Sequence, residues 1–211
     1  MAIFDNIIGK GKGPNPMYEK GVLHLEAGKY AEAASAFVKA REVEPGRAEI
    51  AYLLGRALAY VGRYQEATEA YIRAQELTPF DIQILHAGAA AFTRLGEYAL
   101  AVNWYDLILE QENDLQALFL RGECMELSGN FAGAKESYLR ILERNPEDLV
   151  TWERTGSVLS RLGEDEAAAE CYERLLKGDP ENLIYLKSAA YAHEKGGNYA
   201  RAAEQFRKVT G

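Results

Sequence analysis

The chain is poor in the residues that most often carry chemistry. Its 211 residues include two cysteines and three histidines, and neither type clusters. Cys124 and Cys171 each fall inside a helical pattern, which reads as two packing thiols in a reducing interior and leaves no metal site. No apolar run reaches the ~18 residues that a membrane-spanning helix needs. The N-terminal stretch MAIFDNIIGKGKG lacks a basic start and a long apolar stretch, so it does not read as a secretory signal, and Ala2 excludes N-myristoylation. A basic excess is missing too. The formal net charge of −8 argues against a nucleic-acid backbone as the main ligand, because that requires clustered Lys and Arg. These absences point to the cytoplasm.

Catalysis has little to rest on. Gly9 to Pro14 is glycine-rich, yet no Gly-Lys-Ser/Thr follows and no strand precedes, so it reads as a flexible basic tether. His24 and His193 stand at equivalent phases, where other parts of the chain hold Leu58, Phe92, Met125 and Leu159, and so read as packing residues. His193-Glu194 opens like a zinc-protease motif but runs on into Lys195-Gly196-Gly197 with no second histidine. No Ser/His/Asp constellation emerges, and the many glutamates are what solvated helix faces carry. The chain is not expected to be an enzyme, and neither a cofactor nor a metal is expected.

What is present is a period. Hydrophobic residues make up 48% and charged residues 27%, which is ordinary for a globular protein, but their arrangement repeats. Gly28, Gly62, Gly96, Gly129, Gly163 and Gly197 recur at spacings of 34, 34, 33, 34 and 34 residues, each between two helical patterns. Only glycine ends a helix in the left-handed conformation without a Cβ penalty. Alanine follows each of them at a fixed offset (Ala33, Ala67, Ala101, Ala134, Ala168, Ala202), and one turn later comes a ring (Phe37, Tyr71, Tyr105, Tyr138, Tyr172, Phe206). Before each hairpin glycine stands another small residue: Gly21, Gly55, Ala89, Gly122, Gly156 or Ala190. A glycine inside a helix costs roughly 1 kcal/mol against alanine, so its recurrence at one phase implies close helix–helix contact. Pro45, Pro79, Pro146 and Pro180 end second helices. Each unit is thus a helix–turn–helix hairpin.

This pattern resembles the tetratricopeptide repeat family, through Leu54-Gly55, Ala67, Tyr71, Ala74 and Pro79 in one unit and Trp152, Gly156, Ala168, Tyr172 and Pro180 in another. The resemblance implies an all-α fold, a right-handed superhelical solenoid of stacked antiparallel helix-turn-helix repeats. It covers 14–211 as one domain of six units, 14–47, 48–81, 82–114, 115–148, 149–182 and 183–211, after a flexible tail at 1–13. For Ile3, Phe4, Ile7 and Ile8 in the tail, three readings stay open: disorder, a lid on the first repeat, or a docking peptide for another copy. The third unit is one residue short, and Asn113-Asp114 stands where proline is expected. Asp165 replaces the ring present at Tyr30, Tyr64, Tyr98, Phe131 and Tyr199, so the fifth hairpin should be less well packed.

The resemblance also implies that first helices line a concave groove in which a partner peptide or helix lies. By phase, Tyr18, Tyr52, His86, Phe119, Glu153 and Lys187 form one column, and Val22, Arg56, Ala90, Glu123, Ser157 and Tyr191 the next. A further turn brings Tyr60 and Arg94, then Arg161 and Lys195. Family members that grip acidic chaperone tails use lysine in the first column and asparagine in the second; this chain has no such pair, so that carboxylate clamp is absent. Rings and arginines are enriched in binding hot spots. Tyr18, Tyr52, Arg56, Tyr60, His86, Arg94, Phe119 and Glu123 are therefore the candidate groove residues of a non-enzymatic interaction scaffold, its partner a protein or peptide with apolar anchors and some acidic character. The competing reading for Tyr18 and Tyr52 is packing between first helices. Two other functions stay open: a self-assembling module joining copies through uncapped ends near Phe206 and Val209, and a regulatory domain of a longer enzyme.

Overall fold

The computed structural model of the chain describes residues 15–210, so the 1–13 tail and its Ile/Phe cluster lie outside the described residues. Among the described residues every regular element is an α-helix. They are α1 (Pro16–Glu26), α2 (Tyr30–Val43), α3 (Ala48–Tyr60), α4 (Tyr64–Leu77), α5 (Ile82–Leu95), α6 (Tyr98–Leu109), α7 (Leu115–Leu127), α8 (Phe131–Leu142), α9 (Leu149–Leu162), α10 (Asp165–Gly178), α11 (Leu183–Lys195) and α12 (Tyr199–Thr210). They fall into two compact units divided between Asn113 and Asp114. In the first, α1 to α5 each pack on the next helix in the chain, and first helices α3 and α5 also touch. In the second, α7 to α12 pack in the same consecutive way.

Local chemistry sets the helix ends. Asn15, Asp81, Asp114, Asp148 and Asn182 cap first helices, their side-chain oxygens accepting from backbone N–H groups that have no intrahelical partner. At Asp114 the carboxylate accepts from the amides of Gln116 and Ala117 at 2.7 and 3.0 Å. The cap that starts α7 is thus the same as in the repeats that also carry a proline at the junction, and α7 begins without one. The six hairpin glycines all have φ between +71° and +80°, the left-handed region in which a side chain is strained.

The core of each of the first five hairpins is a ring laid on bare backbone. A Cβ built on Gly55 would lie 2.7 Å from a ring carbon of Tyr71, and those built on Gly21 and Gly122 would lie 2.6 and 2.5 Å from Phe37 and Tyr138. Those rings are buried, so they have nowhere to retreat. The third hairpin adds a variation: Ala89 holds the column, and Gly88 one residue earlier makes room for Trp104.

A second kind of contact joins successive hairpins. Tyr60 at the end of α3 stacks on Tyr30 at the start of α2, with centroids 4.3 Å apart and planes 15° from parallel. In the second unit the Arg161 guanidinium lies 5.9 Å from the Phe131 centroid in the same relation. Asp165 opens α10 in that ring column, and its Oδ1 is shut off from water with no hydrogen-bond partner. His193 is buried, with Nε2 2.8 Å from Glu173 Oε1, and Cys124 and Cys171 are buried free thiols.

Two outcomes follow from this core. Gly55→Ala gains ~1 kcal/mol of helix propensity but drives a methyl into Tyr71, at a cost of about 1–3 kcal/mol of overpacking. Urea denaturation should show a net loss of stability, whereas Gly46→Ala, with nothing within 4 Å of its Cβ, should be neutral. Alkali is the second lever. Burial, aided by Glu170, pushes the Cys171 thiol up to about 11, and burial also raises the hydroxyls of Tyr52 and Tyr71. Unfolded, thiols and phenols lose their protons near about pH 8.5 and 10. The native state holds them longer, so stability is full below about pH 8.5 and falls as pH rises towards 11. Denaturation midpoints across about pH 7–11 should trace that fall, and thiol labelling at about pH 8 should be slow until the protein unfolds.

Candidate functional site

In the first unit the leading groove column is backed by the second helices. Tyr18 leans on Phe37 at 6.3 Å between centroids, Tyr52 on Tyr71 at 6.1 Å and His86 on Tyr105 at 6.2 Å. Each of the three is half-buried, one side fixed on its hairpin and the other facing outward. Tyr18 is held twice. Its hydroxyl donates to Glu49 Oε1 at 2.5 Å, the Arg47 guanidinium sits 4.0 Å from its ring centroid, and Arg47 Nη2 donates to Glu49 Oε2 at 2.7 Å. Burial first, and Glu49 second, hold the Tyr18 hydroxyl well above its ordinary range. Glu49 is a buried carboxylate made tolerable by these two partners, and it ties α1 to α3.

The arginines of the first unit divide into two sets. Arg47, Arg63 and Arg73 are paired with Glu49, Glu66 and Glu76. Arg41 on α2, Arg56 on α3 and Arg94 on α5 are in no ion pair among the described residues. Arg56 lies 5.7 Å from the Tyr52 centroid, where its charge partly offsets the effect of burial on that hydroxyl. Arg94 is exposed at the end of α5, and Tyr60 keeps much of its ring exposed despite its stack on Tyr30. This face therefore offers half-buried rings on a rigid backing and two guanidinium groups without carboxylates.

The second unit places its predicted residues differently. Phe119 leans on Tyr138 at 5.7 Å, repeating the ring column. Glu123 is engaged by Arg154, whose Nη2 donates at 2.9 Å from α9 to α7. Residues that the column reading passed over stand out here. Val150 and Ile184 are large aliphatics exposed at the starts of α9 and α11. The signal was present, since the same position holds Glu49, Gln83 and Gln116 in other repeats. Glu49 was also passed over, although it is the only carboxylate in that column.

Elsewhere, a cleft of about 320 Å³ lies between α1 and α2, lined by Met17, Lys20, His24, Glu32, Ser35 and Lys39. Among the described residues no group of three or more His, Cys, Asp or Glu is placed to hold a metal ion, and no helix is long and apolar enough to cross a membrane. Replacing Glu49 tests the α1–α3 tie. Glu49→Ala strands the Tyr18 hydroxyl and leaves Arg47 only its longer pair with Glu44 at 3.4 Å, at a cost on the order of 1–3 kcal/mol. Hydrogen exchange should then quicken in α1 well before α4, and Glu49→Gln, which keeps an acceptor, should show a smaller effect.

Solved structures with this arrangement are numerous. A tetratricopeptide repeat protein from Parabacteroides merdae superposes with a TM-score of 0.69 at 24% identity, over 92% of this chain and 77% of that one. MamA does so with a TM-score of 0.68 at 19% identity, over 77% of this chain and 89% of its own. YrrB, described as a TPR protein with an unusual peptide-binding site, has a TM-score of 0.68 at 19% identity, over 83% of this chain and 91% of its own. At these identities the likeness speaks for the fold alone. No curated protein sequence matches the chain. A tetratricopeptide repeat model matches residues 18–82 and 153–211, more than half of the chain, and a second one matches 116–148. Proteins built this way typically serve as non-catalytic scaffolds for protein–protein interaction. The chain belongs to the tetratricopeptide repeat family.

Proposed function

We propose that the chain is a non-enzymatic scaffold whose first unit binds a partner peptide or helix along α1, α3 and α5. Tyr18, Tyr52, Tyr60 and His86 supply apolar and ring contacts, and Arg56 and Arg94 receive acidic side chains of the partner. The observation that carries this is the pair of uncompensated guanidinium groups beside exposed ring faces, in a chain whose net charge is −8. An arginine with no carboxylate partner of its own on such a face is available to a carboxylate from outside. Phe119 in the second unit offers the same kind of ring, while Glu123 contributes through its pair with Arg154.

This mode differs from the chaperone-tail clamp, because Tyr18 and Val22 stand where that clamp has lysine and asparagine. The peptide-binding site described for YrrB supports peptide capture as a use of this architecture. Self-assembly through the last helix has less support, since Phe206 already packs edge-on against Tyr191 at 5.3 Å. The two buried free thiols fit a reducing compartment such as the cytoplasm.

Arg56→Glu with Arg94→Glu tests the reading. Arg94 is exposed and Arg56 only flanks the Tyr52 ring at 5.7 Å, whereas Tyr52 leans on Tyr71, so that its removal would mix binding with stability. Proteins captured from native lysate by the parent chain should drop about tenfold or more with the variant, equivalent to about 1.4 kcal/mol, with the melting temperature held. Equal recovery by the two would sink it.

A further inference from the structure

The second hairpin carries a seat for the helix that precedes it. Ala34 and Val38 of α2 close over Leu54 and Leu58 of α3, the four sharing the walls of one small cavity of about 130 Å³. Both leucines are buried, at 1% and 4% exposure. In the third hairpin the same positions hold Gly88 and Phe92, again buried. One period earlier they are Lys20 and His24, the first exposed and the second half-buried. These two border the cleft of about 320 Å³ between α1 and α2, together with Met17, Glu32, Ala36 and Lys39. The cleft therefore lies at the place where the next two hairpins receive a second helix.

Its chemistry narrows the occupant. Met17 and Ala36 give it apolar walls, and Lys20 and Lys39 are in no ion pair among the described residues. An amphipathic segment with an acidic group at its edge fits such a site. A second copy would offer α12, which packs on α11 alone among the described helices. That helix carries Arg201, Arg207 and Lys208 against Glu204, so it would bring like charge to Lys20 and Lys39.

The chain's own N-terminal residues, which lie outside the described ones, are attached beside the seat. Ile3, Phe4, Ile7 and Ile8 recur at helical spacing, and Asp5 is the single acidic residue before α1. Seven residues, Gly9 to Asn15, separate Ile8 from α1 and reach about 23 Å when extended. The four residues 44–47 suffice to bring α2 back onto α3. A helical segment this short is marginal alone in water and gains stability by burying its apolar side. On such a tether it meets its site at an effective concentration on the order of mM, which a partner in trans would have to match.

We propose that residues 3–8 dock in the α1–α2 cleft of the same chain, with Phe4 and Ile7 against Met17 and Ala36 and Asp5 towards Lys20 or Lys39. They take the place that a second helix takes on the next hairpin, and so close this end of the first unit to a neighbouring molecule. The ring face on α1, α3 and α5 plays no part in the contact.

The probe is a nitroxide on Ala2→Cys in the full chain, since Cys124 and Cys171 are buried and escape labelling under native conditions. Amide signals of Met17, Lys20, Ala36 and Lys39 should broaden, and the broadening should persist on about fivefold dilution. Phe4→Ser with Ile7→Ser in the labelled chain should reduce it about threefold or more. Met17→Glu should do the same from the seat side; if that variant fails to fold, the serine variant, altered only outside the described residues, carries the test. Equal broadening in the serine variant would mean a tether that merely passes by, and would overturn the proposal. No broadening at the cleft would overturn it too, leaving the seat to solvent or to a partner. Broadening that fades on dilution, or that appears in isotope-enriched unlabelled chain mixed with labelled chain, would assign the seat to a second copy. The Arg56/Arg94 capture experiment reads a different face, so either reading can fail alone.

Discussion

Everything in this molecule depends on an aromatic ring lying against a stretch of backbone that has no side chain. In the first five hairpins the second helix brings a Phe, Tyr or Trp down onto a glycine of the first. That contact sets the distance between the two helices, and the distance sets which residues reach the core and which remain on the rim. A methyl group at Gly55 or Gly122 would collide with the ring, so the interhelical approach has little slack. The left-handed hairpin glycines then hold the two helices antiparallel at that spacing. Stacking of like hairpins adds nearest-neighbour contacts, and stability accumulates along each unit as a sum of such terms.

Residues that recur were readable in the amino-acid string because the same local demand returns every repeat. Gly21, Gly55, Gly122 and Gly156 announced close contact by being glycines inside helices, and Phe37, Tyr71, Tyr138 and Tyr172 answered at a constant offset. Individual partnerships were not readable in the same way. Phase places a residue on one side of its own helix, but it does not say what reaches over from the next. Tyr60 faces its groove column and yet lies flat on Tyr30. Glu49 looks like an ordinary surface carboxylate until Tyr18 and Arg47 close on it. Val150 and Ile184 are aliphatic, and in a sequence an aliphatic reads as core; only the accessible surface reveals that these two are bare. Asn113-Asp114 interrupts the proline column without breaking the pattern, because a capping carboxylate starts a helix as well as a proline ends one.

The two units show contrasting uses of one scaffold. In the first, the outward columns are aromatic, braced from behind and tipped with guanidinium. In the second, Phe119 keeps such a braced ring, whereas Glu153 and Lys187 stand in its column on α9 and α11. A braced ring offers a fixed shape, whereas glutamate and lysine side chains keep many rotamers. The same backbone period therefore supports a rigid stretch and a pliable one.

The stranded oxygen of Asp165 reaches further than the packing of one turn. It sits where the start of α10 meets the end of α11, with Gly196 close against Glu166. A carboxylate oxygen denied both water and a donor raises the free energy of the closed state relative to a state in which α11 and α12 swing away. The rings that other hairpins carry at this position, Tyr30, Tyr64, Tyr98, Phe131 and Tyr199, bear no such carboxylate cost, so the seam between α10 and α11 gives up part of its packing energy to a buried charge.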